Sequence, residues 1–529
     1  MAEKKIIYRK FQRFPVIKIK IAEHPAYLNF NINGPFSAFD NFGNLLYEIQ
    51  EPETSWRIKI SSFEAPKFTY FVNFYSGKDA KKTDDVEKIL KEKGVDVYRD
   101  VKGGTILLND SEIINNTYFL LRSGEFESAK EAENLINLNI EGISPELVKE
   151  KIRESKCVFE IFESSLGDSA KCLNSLRIIP HYSSTKISIK NILVDSGYDW
   201  SVQIDRTFTT PVFFSADTMG RLIAVAEMGL EDYLRGVVPM EMRSDAPLES
   251  LKAQAVVSRS FVLSRLGVAH SHEGFDFCSD PHCQMWGGSD FYSQESDRAV
   301  KETEGQVLFS GTKLCDTFFT PVCGGFTRNG SINEFNAYTA KSFAELDGER
   351  KTKQGFKLNS EKKIFDWVSI SPDVYCKHGN QQSPVVRHGH EKDSFRWQVN
   401  IDRKDIEKRM IDFYSIDIGT IYDIIPVKRF KSGHISQLEI IGSRKNIIVN
   451  GEQNIRKLFT KSGLYSSCFY IEANIGHNSL PLSFTIYGAG EGDGAGMCQS
   501  GAVFLGSEGK NHREILKHYF GTDTMRKLY

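Results

Sequence analysis

One glutamate has the setting of a proton donor. Glu241 follows the apolar run YLRGVVPM and stands just before a stretch that reads as a helix, so it belongs at a helix entry beside buried surface. Burial disfavours the ionised form, which keeps a carboxyl protonated and able to act as a general acid. The same placement suits a helix cap or an ion pair to Arg243 or Arg259, and spacing alone does not separate these roles. A second constellation is FDFCSDPHCQMW, where Cys278 and His282 stand close together with Cys283 adjacent. Thiolate plus imidazole is a typical zinc pair, but a pair is fewer ligands than a structural zinc site uses. Cys376 and His378, in YCKHGN, could complete such a site or form another. Gln254, Arg259 and Gln284 carry groups able to grip sugar hydroxyls and acetamides, or equally to make structural hydrogen bonds. Trp286 could stack on a sugar ring or fill a core.

The elements that must position these residues follow from periodicity. Before residue 66 the chain reads as strands, with alternation over 16–22, 27–36 and 56–63. Residues 67–140 read as a small α/β sandwich: a strand at 68–77, an amphipathic helix over 84–94 stopped by glycine, strands at 95–100, 103–109 and 117–126, and a second helix over 128–140. A charged helical linker is expected over 141–156, and residues 157–235 are again strand-rich. Beyond Pro247 the run LESLKAQAVVSRSFVLSRLG predicts a helix with Leu248, Leu251, Ala255, Val262 and Leu266 near one face. Ser244 or Asp245 offers its cap, Pro247 its first turn and Gly267 its stop. Strands dominate after residue 305 until a closing helix over 512–520.

Composition bounds the function classes. A 529-residue chain with 40% hydrophobic and 26% charged residues is expected to fold as more than one soluble domain. Its net charge of -2, from 67 basic and 69 acidic residues, provides no drive toward nucleic acid, and no nucleic-acid motif is present. No run is long and apolar enough for a transmembrane segment. The start, MAEKKIIYRKFQRF, lacks the apolar core and small-residue cleavage site of a signal peptide, so the sequence reads as a chain without an export signal. The nine cysteines, all from Cys157 onward, are too sparse for a disulfide scaffold.

The densest run of motifs resembles the SpoIID/LytB family. Glu231 through Met242 (EDYLRGVVPMEM) is similar to the family's E-x-Y-L-x-G-V-V-P-x-E-M segment, and Leu251 through Arg259 to its L-K-A-Q-A-V-x-x-R helix. HCQMWGG, AVKETEGQVL, CGGFT, VNGEQNIRKLF and GAGMCQSGA with ILKHYF follow at family-like intervals, so the resemblance spans about residues 160–529. It implies a β-rich α+β catalytic region, 157–529, with a helical insertion, and it matches Glu241 to the family's catalytic glutamate. The implied reaction is lytic transglycosylation of peptidoglycan, in which the C6 hydroxyl of N-acetylmuramic acid attacks its own anomeric carbon. One carboxylate then suffices, where an ordinary glycosidase needs a pair. The resemblance also implies a cell-envelope location, glycan strands as partner and, on the LytB side, an amidase. Some family members carry a Cys and a His before the same CQ step, which implies zinc at Cys278 and His282; no organic cofactor is expected. The glycine-rich segment GDGAGMCQSGA departs from the family's G-H-G-V-G-M-S-Q: Asp493 stands at the histidine position. Asp493, or Glu491, could supply a second carboxylate for hydrolysis, or simply sit in a glycine-rich turn. Finally, YFLLRSGEFESAKEAENL (118–135) resembles part of the SPOR domain, a small glycan-binding module, over about residues 67–139.

Overall fold

The computed structural model describes residues 7–529 apart from 137, 139, 141–142, 144, 165–166, 168, 195–201, 271–272, 312, 329–357, 359, 380–393 and 522–523. Among the described residues it is a mixed α+β chain of several sheets and 11 helices. Two sheets form the main body. A six-stranded sheet includes Thr54–Glu64, Tyr27–Asn33, Lys156–Glu163 and Lys186–Val194, and a seven-stranded sheet includes Val16–His24, Leu222–Gly229, Val212–Ala216 and Phe36–Asp40. Alternation decides which face each strand buries: in VIKIKIA the residues Ile17, Ile19 and Ile21 are at most 1% exposed. Strand Leu222–Gly229 is buried from Leu222 to Ala226 without alternation, so both of its faces are covered there.

This pairing corrects the expected boundary at residue 66. Strands from 16–64 are shared between both sheets with strands from 156–229, so the first segment is an integral part of the body. The small α/β unit is instead an insertion in a hairpin, for Lys156 pairs directly with Glu64. Its sheet runs Glu146–Arg153, Lys67–Gly77, Tyr118–Phe126, Tyr98–Lys102, all antiparallel. Helix Ala80–Glu92, capped by Asp79, connects Lys67–Gly77 to Tyr98–Lys102 with Tyr118–Phe126 between them, giving a split βαβ arrangement. The expected helical linker over 141–156 is a strand where it is described: ELVKEKIR alternates charge along an edge and takes its hydrogen bonds from Lys67–Gly77. Of the expected second helix only Glu133–Ile136 forms, and residues 137 and 139 lie outside the described set. Strand Thr105–Leu108 leaves the module to pair with Ile7–Phe11.

Helix Leu248–Arg265 is buried from Ser250 to Arg265 at every position but Lys252, so it is a central helix and not an amphipathic one. Serines make this possible by bonding locally, Ser260 Oγ to the Val256 carbonyl at 2.8 Å and Ser250 Oγ to that of Ala502 at 2.9 Å. Pro247 takes the N-cap position, while Asp245 is drawn to Arg243. At the other end Asn116, from the inserted module, donates to the Leu263 and Leu266 carbonyls. A separate core holds residues 396–489, built from two three-stranded sheets and helices Arg403–Tyr414 and Glu452–Phe459. Among the described residues no helix is long and apolar enough to cross a membrane.

Candidate active site and metal-type loop

Strand Leu222–Gly229 runs straight into helix Leu230–Glu241. Gly236 lets this helix approach the Trp286 indole: a Cβ there would lie 2.2 Å from Trp286 Nε1. Glu241 is the last helical residue, and Met242 turns extended at φ -138. The half-buried carboxylate is fixed from outside the helix, its Oε1 accepting from the Met285 N–H at 2.7 Å. The Glu241 carbonyl accepts from Gln499 Nε2 at 2.8 Å, and that amide also reaches Gln254 Oε1 at 3.2 Å. Gln254 in turn donates to Ser258 Oγ, and Gln284 donates to the Ser258 carbonyl. Two of the three residues expected to grip sugar, Gln254 and Gln284, thus belong to a buried amide network behind Glu241. Gln499 was not read as functional from sequence; the GMCQ motif was its signal.

Arg259 is placed differently. Fully buried, it forks onto the Glu231 carboxylate at 2.7 and 2.6 Å and donates to the Gln306 carbonyl at 2.9 Å. Tyr529 Oη donates to the same carboxylate at 2.6 Å. This bidentate ion pair ties the central helix to helix Leu230–Glu241, with Tyr529 joined to it, and is engaged away from Glu241. Trp286 is core, stacked on Phe208 and Tyr233. Its Nε1, Tyr233 Oη and Gln284 Oε1 are buried without a hydrogen-bond partner among the described residues. Burial above all, then the charges of Cys283, Cys278 and Glu241, raises the Tyr233 phenol well above its ordinary pKa, so it stays a neutral donor.

The loop that presents Met285 begins at a cluster of four ligand-type residues. The donor atoms of His270, Cys278, His282 and Cys283 all lie within 4.8 Å of one another. His270 Nε2 is 3.3 Å from Cys283 Sγ, and His282 Nδ1 is 3.6 Å from Cys283 Sγ and 3.8 Å from Cys278 Sγ. Two thiols and two imidazoles at such spacing fit a tetrahedral ion with nitrogen and sulfur ligands. The hydrogen bond from Cys283, with those from His270 and His282, outweighs burial and drives Cys278 strongly toward thiolate. Glu273 takes the remaining His270 nitrogen, Nδ1, at 2.8 Å, which turns Nε2 toward the cluster. The expected pair Cys278 and His282 is therefore brought together, joined by Cys283 and by His270, which sequence spacing did not single out. His378 does not join; it bonds Asp373, and Cys376 lies with Cys323 and Cys498.

Asp493 is also committed. Buried Arg328 donates to its Oδ2 at 2.9 Å, and the Ala495 N–H to its Oδ1 at 2.9 Å. Beside it Gly494, at φ +71, leaves room for the His434 ring, which a Cβ would meet at 2.4 Å.

A β-rich body with a buried helix, and one clamped carboxylate beside a Cys/His loop, is the setting in which the comparisons with known proteins fall. Residues 218–309, spanning the clamped carboxylate and the loop, match the family model described as Stage II sporulation protein. Through this region the chain is similar to the SpoIID/LytB family. Residues 380–496 match a second model, Domain of unknown function (DUF8618), which coincides with the separate core. Stage II sporulation protein D of Bacillus amyloliquefaciens is 26% identical over 312 residues, 56% of this chain and 74% of that protein. An uncharacterized protein of Brachyspira hyodysenteriae is 24% identical over 308 residues, 58% of this chain and 67% of its own length. The Bacillus subtilis protein named amidase enhancer is 24% identical over 305 residues, 55% of this chain but 40% of that relative. Family and relatives are consistent with cell-wall remodelling.

Proposed function

We propose that this chain is a peptidoglycan lytic transglycosylase of the cell envelope, with Glu241 as its acid and base. The observation that carries the reading is the Glu241 carboxylate clamped by the Met285 N–H inside the matched region. Glu241 gives its proton to the glycosidic oxygen as the bond from the N-acetylmuramic anomeric carbon breaks. The sugar's own C6 hydroxyl then bonds that carbon, and its proton passes to Glu241, closing the cycle with a 1,6-anhydro product. Internal attack dispenses with a positioned water and with a second carboxylate. Asp493 is held by Arg328, which argues against its use as that second group. His270, Cys278, His282 and Cys283 would hold a zinc ion, whose part is to fix the loop carrying Met285. The inserted split-βαβ unit is proposed as a SPOR-like glycan-binding module delivering peptide-stripped strands.

A second reading, a glycan-bound stimulator of an amidase, is favoured by the name of the Bacillus subtilis relative and by Asp493 at the family's histidine position. Incubation with peptide-stripped glycan and mass spectrometry of the products separates the two. The transglycosylase releases anhydro ends, and Glu241→Gln, folded by circular dichroism, releases none. Intact strands with wild-type protein, or equal release by the variant, overturn the first reading.

A further inference from the structure

A second sulfur-rich centre lies apart from the Cys/His loop. Cys323, Cys376 and Cys498 come from three separate segments, and their sulfurs all lie within 4.8 Å of one another. Cys323 Sγ and Cys376 Sγ are 3.7 Å apart, and Cys498 Sγ accepts from the Cys323 N–H at 3.3 Å. The three residues are 1%, 3% and 0% exposed. Disulfide bonding needs sulfurs about 2.05 Å apart, and none of the nine cysteines is so paired. Thiolates sharing a tetrahedral ion at about 2.3 Å sit about 3.8 Å from each other, close to the 3.7 Å between Cys323 and Cys376. Soft thiolate donors select thiophilic cations such as zinc(II) and copper(I) over hard ones.

We propose that Cys323, Cys376 and Cys498 form a metal site of three thiolates for a thiophilic d10 cation. Binding would release the thiol protons to solvent and leave a fourth position to an oxygen ligand or, for copper(I), to none. The ion would reinforce segments that already pack closely, Tyr375 and His378 lying against Phe504. Cys376 sits on the four-residue helix Tyr375–His378, and Cys498 ends the two-residue strand Met497–Cys498, paired with Phe319–Thr320. The next residue, Gln499, holds the Glu241 carbonyl, so the ion would fix the far wall of the Glu241 site. This centre stands independently of the zinc proposed at Cys278.

The full chain, purified under reducing conditions without chelator, is assayed for zinc and copper by mass spectrometry beside Cys498→Ser and Cys278→Ser. Serine is close in size to cysteine and keeps an acceptor for the Cys323 N–H. Cys498→Ser is expected to lose about one equivalent that Cys278→Ser retains; zinc or copper in that equivalent identifies the ion. Native thiol alkylation gives a variant-free check: Cys323, Cys376 and Cys498 should label at least about tenfold faster once a zinc or copper(I) chelator is added. Metal content unchanged in Cys498→Ser, labelling indifferent to chelator, or a Cys323–Cys376 disulfide mapped in the unreduced chain overturns the proposal.

Discussion

Glu241 shows how a single residue is fixed by groups remote in sequence: Met285 grips its carboxylate and Gln499 its carbonyl. Gly236 matters just as much, since any side chain there would strike the Trp286 indole. Gly236→Ala is expected to destabilise the chain by about 1–3 kcal/mol, read as a fall in denaturant midpoint. His434 sets a pH dependence. Burial first, then the charges of Arg328, Arg456 and Arg429, lowers its pKa from 6.5 to about 3. The unfolded chain therefore binds a proton between these values that the folded chain refuses. Stability is fully present above about pH 6.5 and falls by roughly 1.4 kcal/mol per pH unit below it. His434→Gln should flatten that slope in urea titrations at pH 4–7 (about one proton's worth), and an unchanged slope refutes the assignment. The placement of Glu241 beside buried surface and the nearness of Cys278 to His282 follow from their neighbours in sequence. The approach of His270 does not, because it depends on the turn that follows the central helix, and the buried fate of Arg259 depends on Glu231 and Tyr529.

At the level of elements, the loop from Cys278 to Gly288 would convert ligation at the proposed zinc site into backbone position. Cys283 N–H bonds the Asp280 carbonyl, Trp286 N–H that of Ser279, and Gly287 N–H that of Gly236. Glu273 acts through His270, so Glu273→Gln should weaken zinc affinity about 10- to 100-fold in competition titrations while leaving the ligands intact. Retained affinity would show that Glu273 does not orient the ring. Periodicity located most strands, because alternation reports a sheet with one covered face. It misjudged helix Leu248–Arg265, whose polar residues are small or paired and so tolerate burial on all sides. It also misjudged Glu146–Arg153, whose charges suit a solvated helix or an edge strand equally, and only the partner Lys67–Gly77 decides.

Across the whole molecule, the boundary error has one cause: strand partners far apart in sequence leave no local trace. The body draws on residues 16–64 and 156–229 alike, and Arg9 reaches Asp276 in a bidentate ion pair. A chain begun at residue 157 loses strands from both sheets and is expected not to fold. Excision of residues 66–154 with a short turn in their place joins strands already paired at Glu64 and Lys156. That protein should fold with a lowered melting temperature, since the Asn116 cap on Leu263 and Leu266 goes with the insert. Circular dichroism melts compare the two, and a folded 157–529 fragment would refute the shared-body architecture.

The contact between Gln499 and the Glu241 carbonyl spans 258 residues. At synthesis rates of about 5–20 residues per second, roughly 10–50 s separate the emergence of its two partners. A nascent chain carrying Glu241 therefore has no finished site, and competence arrives late and all at once. The proposed wall-cutting activity would thereby be kept silent by topology during the chain's own manufacture.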